Sequence, residues 1–218
     1  MSADEPWHDY LEAGEALFAQ PWKFVLGAPS LEVLPPADRP EIAFAGRSNV
    51  GKSSLLNALM NHDGLARTSN TPGRTQELNF FRTSHALLYL VDMPGYGYAQ
   101  APKDKVDAWN DLLRQYLAGR PTLARVFVLI DSRHGLKPPD REIMQMLNVA
   151  AVTFQVVLTK TDKIKPTQLA AVHADVTKVL QKEPAAFPIV LETSAEKKEG
   201  IGALRAIVAQ ILQEHGPR

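Results

Sequence analysis

The stretch "IAFAGRSNVGKSSLLNALM", residues 42–60, carries more structural information than any other part of the chain. A short apolar run ends in a glycine loop, and a helix-forming run follows at once. The loop "GRSNVGKS" at 46–53 matches G-x-x-x-x-G-K-[ST], the phosphate-binding pattern found between a strand and a helix. Its glycines let the backbone wrap around a phosphate, while successive amides point partial positive charge inward. The stretch predicts a bound nucleoside phosphate and leaves ATP, GTP and kinase functions open.

Short apolar runs and helical patterns alternate along the rest of the chain. Strands are predicted at 42–46, 78–83, 86–92, 125–131, 153–159 and 187–193, with 78–83 and 86–92 as a hairpin. Helices are predicted at 53–60, 103–118, 138–149, 166–182 and 199–214. This order predicts a three-layer α/β fold of the P-loop NTPase type. Its sheet is mainly parallel, has about six strands and carries helices on both faces, and its ligands lie at the carboxyl ends of the strands.

The first 40 residues differ from the remainder in pattern and charge. Apolar residues at helical spacing over 5–19 predict a helix that docks on the main body; they are Trp7, Tyr10, Leu11, Leu17 and Phe18. The acidic polar face of this helix argues against a membrane surface. The stretch "LPPADRP" at 34–40 reads as a stiff linker. We therefore predict an N-terminal arm, 1–40, and a nucleotide-binding domain, 41–218.

Composition excludes several classes of protein. The 218 residues include 45% hydrophobic and 22% charged residues, a balance typical of globular proteins, and no cysteine, which excludes disulfides and thiolate metal sites. The apolar runs are too short to cross a bilayer, and no basic-then-apolar leader opens the chain, so we expect a cytoplasmic protein without a membrane partner. A net charge of zero gives no reason to expect DNA as a partner, although residues after 40 have a mild basic surplus. Nothing in the sequence requires more than a monomer.

The stretch "DMPGYGY" at 92–98 follows an apolar strand about 40 residues after Lys52. Lys52 is expected to reach the β- and γ-phosphates, the Ser53 hydroxyl to bind Mg²⁺, and Asp92 to hold the same ion through a water. The Gly95 amide could approach the γ-phosphate closely. In Ras-type enzymes the next residue is a glutamine that orients the attacking water. Here it is Tyr96, which has no carboxamide, so another group must complete the site.

The segment 63–78, "DGLARTSNTPGRTQEL", is rich in turn-forming residues. It is the natural place for a switch that becomes ordered by the γ-phosphate and Mg²⁺. Thr71 and Thr75 are both candidates for the second metal ligand, and an ordinary solvated loop remains an alternative.

The string "TKTD", Thr159 to Asp162, follows another predicted strand and indicates guanine recognition. A carboxylate at Asp162 can accept hydrogen bonds from guanine N1–H and N2–H₂ together, whereas adenine offers no such pair of donors. Lys160 would cover the purine face. Asparagine is usual where Thr159 stands. In "ETSA", 192–195, the Ala195 amide could reach guanine O6, so GTP is preferred over ATP.

Taken in order over about residues 42–200, these loops resemble the translational branch of small GTPases that includes Era, TrmE, EngA and EngB. The strings "GRSNVGKSSLLN", "TPGRTQ", "DMPGYGYA" and "TKTDK" are similar to the EngB family, also called YihA or YsxC. The resemblance implies a Ras-like G domain in a cytoplasmic GTPase of low turnover. It implies further that the protein assists assembly of the large ribosomal subunit, with a link to cell division.

The resemblance also assigns residues to the site. It favours Thr75 over Thr71 as the switch threonine. The expected nucleotide-binding residues are Gly46, Arg47, Ser48, Asn49, Val50, Gly51, Lys52, Ser53, Ser54, Gly73, Arg74, Thr75, Asp92, Gly95, Thr159, Lys160, Asp162, Thr193, Ser194 and Ala195. Lys52, Thr75, Gly95 and Asn49 are assigned to catalysis, and Ser53, Thr75 and Asp92 (through a water) to Mg²⁺.

Relatives without the glutamine can use a potassium ion that an asparagine of the phosphate loop binds, and Asn49 occupies that position. We hypothesise that K⁺ at Asn49 supplies the charge that an arginine finger supplies elsewhere. The alternative is that Asn49 only tolerates a tight loop conformation.

Support from the residues for a ribosomal partner is modest. Basic residues lie around the switch and on a loop before a predicted helix, where they could meet rRNA phosphates or be ordinary surface charge; they are Arg67, Arg74, Arg82, Arg133, His134 and Lys137. Tyr96 and Tyr98 could stack on bases or pack on the neighbouring helix. Two other classes stay open: a GTP-dependent RNA-modification factor, and a GTP-binding scaffold with negligible turnover.

Overall fold

The structure is a computed structural model that describes residues 5–66, 77–83, 87–96 and 103–216. Within these ranges one sheet of seven strands runs through the molecule in the order β1-β3-β4-β2-β5-β6-β7. The strands are β1 Trp22–Ala28, β2 Glu41–Gly46, β3 Leu78–Thr83, β4 Tyr89–Asp92, β5 Leu123–Asp131, β6 Phe154–Thr159 and β7 Leu191–Glu192. Strands β4, β2, β5, β6 and β7 are parallel to one another, whereas β3 pairs antiparallel with β4 and β1 antiparallel with β3. The mainly parallel sheet and the β3–β4 hairpin are confirmed.

Six α-helices of the described ranges cover the sheet, and they are α1 Leu11–Phe18, α2 Lys52–Leu59, α3 Lys103–Gly119, α4 Pro138–Val149, α5 Pro166–Leu180 and α6 Ile201–His215. Two separate apolar cores lie on opposite faces. One packs α1, α2 and α6 on the sheet through residues such as Phe18, Leu56 and Ile207. The other packs α3, α4 and α5 through residues such as Leu113, Met144 and Val176. The three-layer arrangement is therefore the one that the sequence predicts.

The N-terminal helix docks on the body as predicted. Phe18 is 1% exposed, and its ring stacks on that of Trp22 at 5.0 Å between centroids. Helices α1 and α6 approach so closely at Gly14 that an added Cβ would lie 2.6 Å from the backbone carbon of Arg205. The Arg205 guanidinium in turn donates to Glu15 at 2.7 Å.

Two strand predictions need correction. Strand β1 was missed: residues 22–28 form an edge strand that pairs with β3, because "WKFVLGA" gains its stability from the free edge of β3 and not from its own pattern. The strand count is therefore one more than the six expected. Conversely, the strand expected at 187–193 is only Leu191–Glu192, since Pro188 has no N–H to donate to a sheet. The division of the chain at residue 40 stays a prediction.

Candidate nucleotide-binding site

The phosphate loop begins where β2 ends and closes at the first turn of α2. Asn49 and Gly51 both have left-handed backbone conformations, with φ of +62° and +99°. Two residues at positive φ turn consecutive amides toward one side, which is the concave arrangement that binds phosphate. A Cβ at Gly46 would lie only 2.8 Å from the side chain of Val50, so the loop needs glycine there. The predicted residues of Gly46–Ser54 thus lie together on this loop and on the start of α2.

Strand β4 places a carboxylate beside this loop. Asp92 ends β4, the neighbour of β2, and its side chain forms an ion pair with the Lys52 ammonium at the start of α2. Both side chains are largely buried, at 9% and 11% exposure. The predicted phosphate-binding lysine and the predicted metal-side carboxylate are therefore in direct contact.

The loop after β4 packs against the phosphate loop through its backbone. The Tyr96 amide donates to the Gly46 carbonyl and the Ser48 amide donates to the Tyr96 carbonyl, each at 3.3 Å. Gly95 lies so near that a Cβ there would be 3.2 Å from the Ser48 Oγ. The close approach explains why this position requires glycine and leaves the Gly95 backbone at the phosphate loop.

The third cluster of predicted residues lies at the ends of β6 and β7. The Ser194 hydroxyl donates to Asp162 Oδ1 at 2.6 Å, and the Lys163 ammonium lies 3.0 Å from Oδ2. The Ser194 hydrogen bond, with help from Lys163, lowers the pKa of Asp162, so this carboxylate is ionised at neutral pH. An ionised, oriented carboxylate is what the recognition of guanine N1–H and N2–H₂ requires.

Lys160 connects the loop at 159–162, for which the sequence predicts base recognition, to the phosphate loop. Its backbone has φ of +58°, and its side chain passes Gly51, where an added Cβ would lie 3.3 Å from Lys160 Cε. The ammonium donates to the Asn49 carbonyl at 2.5 Å. The lysine stem therefore lies along the phosphate loop, beside the expected position of the purine.

The contacts of Thr159 explain why threonine stands at a position where asparagine is usual. This residue is 3% exposed, and its hydroxyl donates to the Val50 carbonyl at 2.6 Å. The short Thr159 side chain therefore links the loop at 159–162 to the phosphate loop.

Comparison with known proteins identifies the family. A protein of Ruegeria pomeroyi named "Probable GTP-binding protein EngB" is 58% identical to this chain over 209 residues, which are 96% of each chain. The chain belongs to the EngB family. A namesake from Sinorhizobium medicae is 58% identical over 201 residues, 88% of this chain and 93% of its own. Residues 41–160 match the family model described as "50S ribosome-binding GTPase".

Solved structures agree with this assignment at the level of the fold. The crystal structure of a probable GTP-binding protein EngB has a TM-score of 0.64 and 23% identity, covering 80% of this chain and all of that one. Era in complex with MgGDPNP and nucleotides 1506–1542 of 16S ribosomal RNA has a TM-score of 0.59 and 22% identity over 83% of this chain and 58% of its own. The predicted G-domain fold and the membership of a GTP-binding, GTPase family are confirmed.

Two carboxylates of this EngB-family chain were missed by sequence reasoning, and the first is Asp131. It ends β5, accepts hydrogen bonds from Arg133 at 2.7 and 2.9 Å, and lies 3.0 Å from the Lys160 ammonium. Burial acts to raise the pKa of Asp131, but the bonds from Arg133 and Lys160 outweigh it and hold the pKa well below its ordinary value. Asp131 therefore orients Lys160. An acid that ends an apolar strand, as Asp92 also does, was the available signal.

The second is Asp140, in the first turn of α4. It is fully buried and accepts a hydrogen bond from the Tyr96 hydroxyl at 2.9 Å. Burial first, and then the neighbouring Asp140, raise the pKa of Tyr96 well above its ordinary value. Tyr96 thus packs against a helix, which is one of the two arrangements that the sequence left open. Its hydroxyl is hydrogen-bonded to Asp140 of that helix.

Some predicted residues lie outside the described ranges of this family member. They are Gly73, Arg74 and Thr75, together with Thr71, Arg67 and Tyr98. The choice between the two switch threonines stays a prediction.

The described residues lack two features. No group of three or more His, Asp or Glu side chains there could hold a metal ion. Among the described helices, none has the length and apolar character needed to cross a membrane. The residues that fit Mg²⁺ are instead oxygen donors of the nucleotide loops, Ser53 and Asp92, because Mg²⁺ prefers carboxylate, hydroxyl and phosphate oxygens and needs few protein ligands.

Proposed function

We propose that this cytoplasmic protein hydrolyses GTP to GDP and phosphate, and that the nucleotide state controls its part in assembly of the large ribosomal subunit, with a link to cell division. The observation that carries the proposal is the meeting of four loops at one edge of the sheet. Lys52 contacts Asp92, Lys160 reaches the phosphate loop, and Asp162 is oriented by Ser194. The combination supports binding of a guanine base and of its phosphates in one site.

Each loop has a distinct task in this proposal. Asp162 accepts hydrogen bonds from the edge of the guanine base, and Lys160 covers the face of that base. Lys52 breaks its ion pair with Asp92 and neutralises the β- and γ-phosphates. The amides of the phosphate loop stabilise negative charge without any rearrangement of solvent. Ser53 and Asp92 would hold Mg²⁺, which supplies positive charge to the phosphate oxygens when it is bound.

Two residues, Tyr96 and Asn49, bear on which group completes the catalytic site. The Tyr96 hydroxyl is bound to α4, which supports a different group for activating the reaction. Asn49 is exposed, and its φ of +62° is a conformation that asparagine tolerates better than most residues. This backbone is compatible with both the loop role and the potassium role of Asn49.

We expect GTP turnover to be about 10- to 100-fold faster in KCl than in NaCl at equal ionic strength. An effect of this size is equal to or smaller than the rate contribution of one oxyanion-hole donor. Asn49→Ala should abolish the difference and leave GDP binding intact. Asn49→Gly is the sharper variant, because glycine adopts the left-handed conformation without strain and supplies no side-chain ligand. Loss of the potassium effect in both variants supports the ligand role. A potassium effect that survives in Asn49→Gly would leave Asn49 as a loop residue only.

The ribosomal part of the proposal rests on family membership and on surface charge. Exposed basic side chains at Arg133 and His134, and at Lys137 before α4, lie at the same edge of the sheet as the proposed nucleotide site. Basic loops bind RNA phosphates in a manner that weakens with salt. No second catalytic constellation is found among the described residues, which favours a switch over an RNA-modification enzyme.

Co-sedimentation tests this proposal directly. Purified large ribosomal subunits are mixed with the protein loaded with a non-hydrolysable GTP analogue or with GDP. We expect recovery to be at least about tenfold greater with the analogue, the size of a typical coupling between two bound ligands, and to fall as KCl rises. Equal recovery in both states would contradict a ribosome-directed switch. Analogue-dependent recovery without measurable turnover would instead identify a GTP-binding scaffold.

A further inference from the structure

Asp140 is a buried carboxylate with three positively polarised neighbours. It is 0% exposed. Its Oδ2 accepts from the Lys137 amide at 2.9 Å, and its Oδ1 accepts from the Tyr96 hydroxyl at 2.9 Å. The Arg47 Nε lies 3.3 Å from Oδ2, within the range of an ion pair. These two hydrogen-bond donors and the Arg47 cation come from three different parts of the chain.

The role of an ordinary helix cap does not account for this arrangement. A carboxylate in the first turn of a helix is satisfied by a backbone amide such as that of Lys137, and it usually remains in contact with water. Burying a charge completely is costly unless further donors compensate for the lost hydration. The two additional partners, the Arg47 guanidinium as an ion pair and the Tyr96 hydroxyl as a hydrogen-bond donor, both belong to loops of the proposed nucleotide site.

Tyr96 is held at both of its ends. Its main chain exchanges two hydrogen bonds with Gly46 and Ser48 of the phosphate loop. Its hydroxyl is bound to Asp140 on α4. Gly95, one residue earlier, is thereby held against Ser48, with no room for a side chain between them.

We propose that Asp140 is a positioning residue for the nucleotide site. By holding the Tyr96 hydroxyl and the Arg47 guanidinium, Asp140 fixes the Gly95 backbone in position for the γ-phosphate. The inference rests on the proposed function, in which the Gly95 amide meets the γ-phosphate of GTP. Asp140 itself touches no part of the nucleotide. GDP has no γ-phosphate, so the effect of Asp140 is specific for GTP.

Equilibrium binding of fluorescent GDP and of a fluorescent non-hydrolysable GTP analogue tests the inference in the full chain. Tyr96→Phe removes only the hydroxyl, and Asp140→Asn removes the charge with little change in shape. For each variant we expect affinity for the analogue to fall about tenfold, in line with the loss of a hydrogen bond to a charged group, while affinity for GDP changes less than about threefold. Glu142→Gln, an exposed neutralisation two residues along α4, should change neither affinity.

The double variant Tyr96→Phe/Asp140→Asn separates positioning from general damage to the fold. If the two groups act as one unit, the double variant loses no more analogue affinity than the weaker-binding single variant. Tyr96→Phe keeps the test decisive even if Asp140→Asn folds poorly. An unchanged ratio of analogue to GDP affinity in Tyr96→Phe, or a ratio shifted toward the analogue, would overturn the inference. Failure of the unaltered chain to bind the analogue would overturn the proposed function itself.

Discussion

Asp162→Asn is expected to lower the affinity for GTP by at least about 100-fold and to make xanthosine triphosphate the better ligand. In the proposed site the Asp162 carboxylate accepts hydrogen bonds from two guanine N–H groups, and an asparagine side chain would present an N–H in place of one of those acceptors. Two donors then face each other, and a buried donor without an acceptor is costly. Xanthine has a carbonyl at C2 in place of the guanine amino group, so the new amide finds an acceptor.

The local contacts make this variant a clean test. The Ser194 hydroxyl can still donate to the remaining oxygen, as it does to Asp162 Oδ1 at 2.6 Å, so the loop keeps its main support. Glu196→Gln is the matched control, since it removes one negative charge beside Lys163 and leaves Asp162 in place. Affinities for GTP and for xanthosine triphosphate are measured by competition against a fluorescent nucleotide. A variant that binds GTP as tightly as the Glu196→Gln control would show that Asp162 does not read the base.

The second large effect is expected on stability and lies at the opposite end of the sheet. Glu41, at the start of β2, is 0% exposed and accepts hydrogen bonds from Tyr116 at 2.7 Å, Arg120 at 2.7 Å and Thr122 at 2.9 Å. The Arg120 guanidinium, with 9% of its side chain exposed, also donates to the Pro35 carbonyl at 2.7 Å. The network joins the segment before β2 to the end of α3 and the start of β5.

Glu41→Gln should therefore lower the free energy of unfolding by about 3–5 kcal/mol, because it leaves the Arg120 charge buried without its partner. The comparison is urea denaturation of Glu41→Gln and Glu15→Gln, since Glu15 also pairs with an arginine but has 56% of its side chain exposed and should contribute about 1 kcal/mol or less. Affinity for GDP of the folded Glu41→Gln protein should be unchanged, because the network lies away from the carboxyl ends of the strands. Equal losses in the two variants would contradict a dominant role for the buried pair.

How well the sequence predicts this molecule depends on the distance between interacting residues along the chain. The phosphate loop, the helix that follows it and the α1 docking stripe all have local patterns, and the structure confirms them. Strand β1 has no such pattern, and it forms because β3 offers an unpaired edge. At the other edge, Pro188 shortens the last strand through its missing N–H, an effect that apolar content alone did not predict.

The sequence alone therefore determined the fold class, the order of the loops and the family, because each depends on residues close together in the chain: a glycine loop before a helix, apolar strands that end in polar loops, and the "TKTD" string. Tertiary structure alone decided which groups support those loops. Thr159 binds Val50 across 109 positions, Tyr96 binds Asp140 across 44, and Glu41 binds Tyr116 across 75. Such partners leave no local pattern, since they meet only when parallel strands bring their ends to a common edge and helices pack across them. The roles of Tyr96 and of the buried carboxylates follow from that packing.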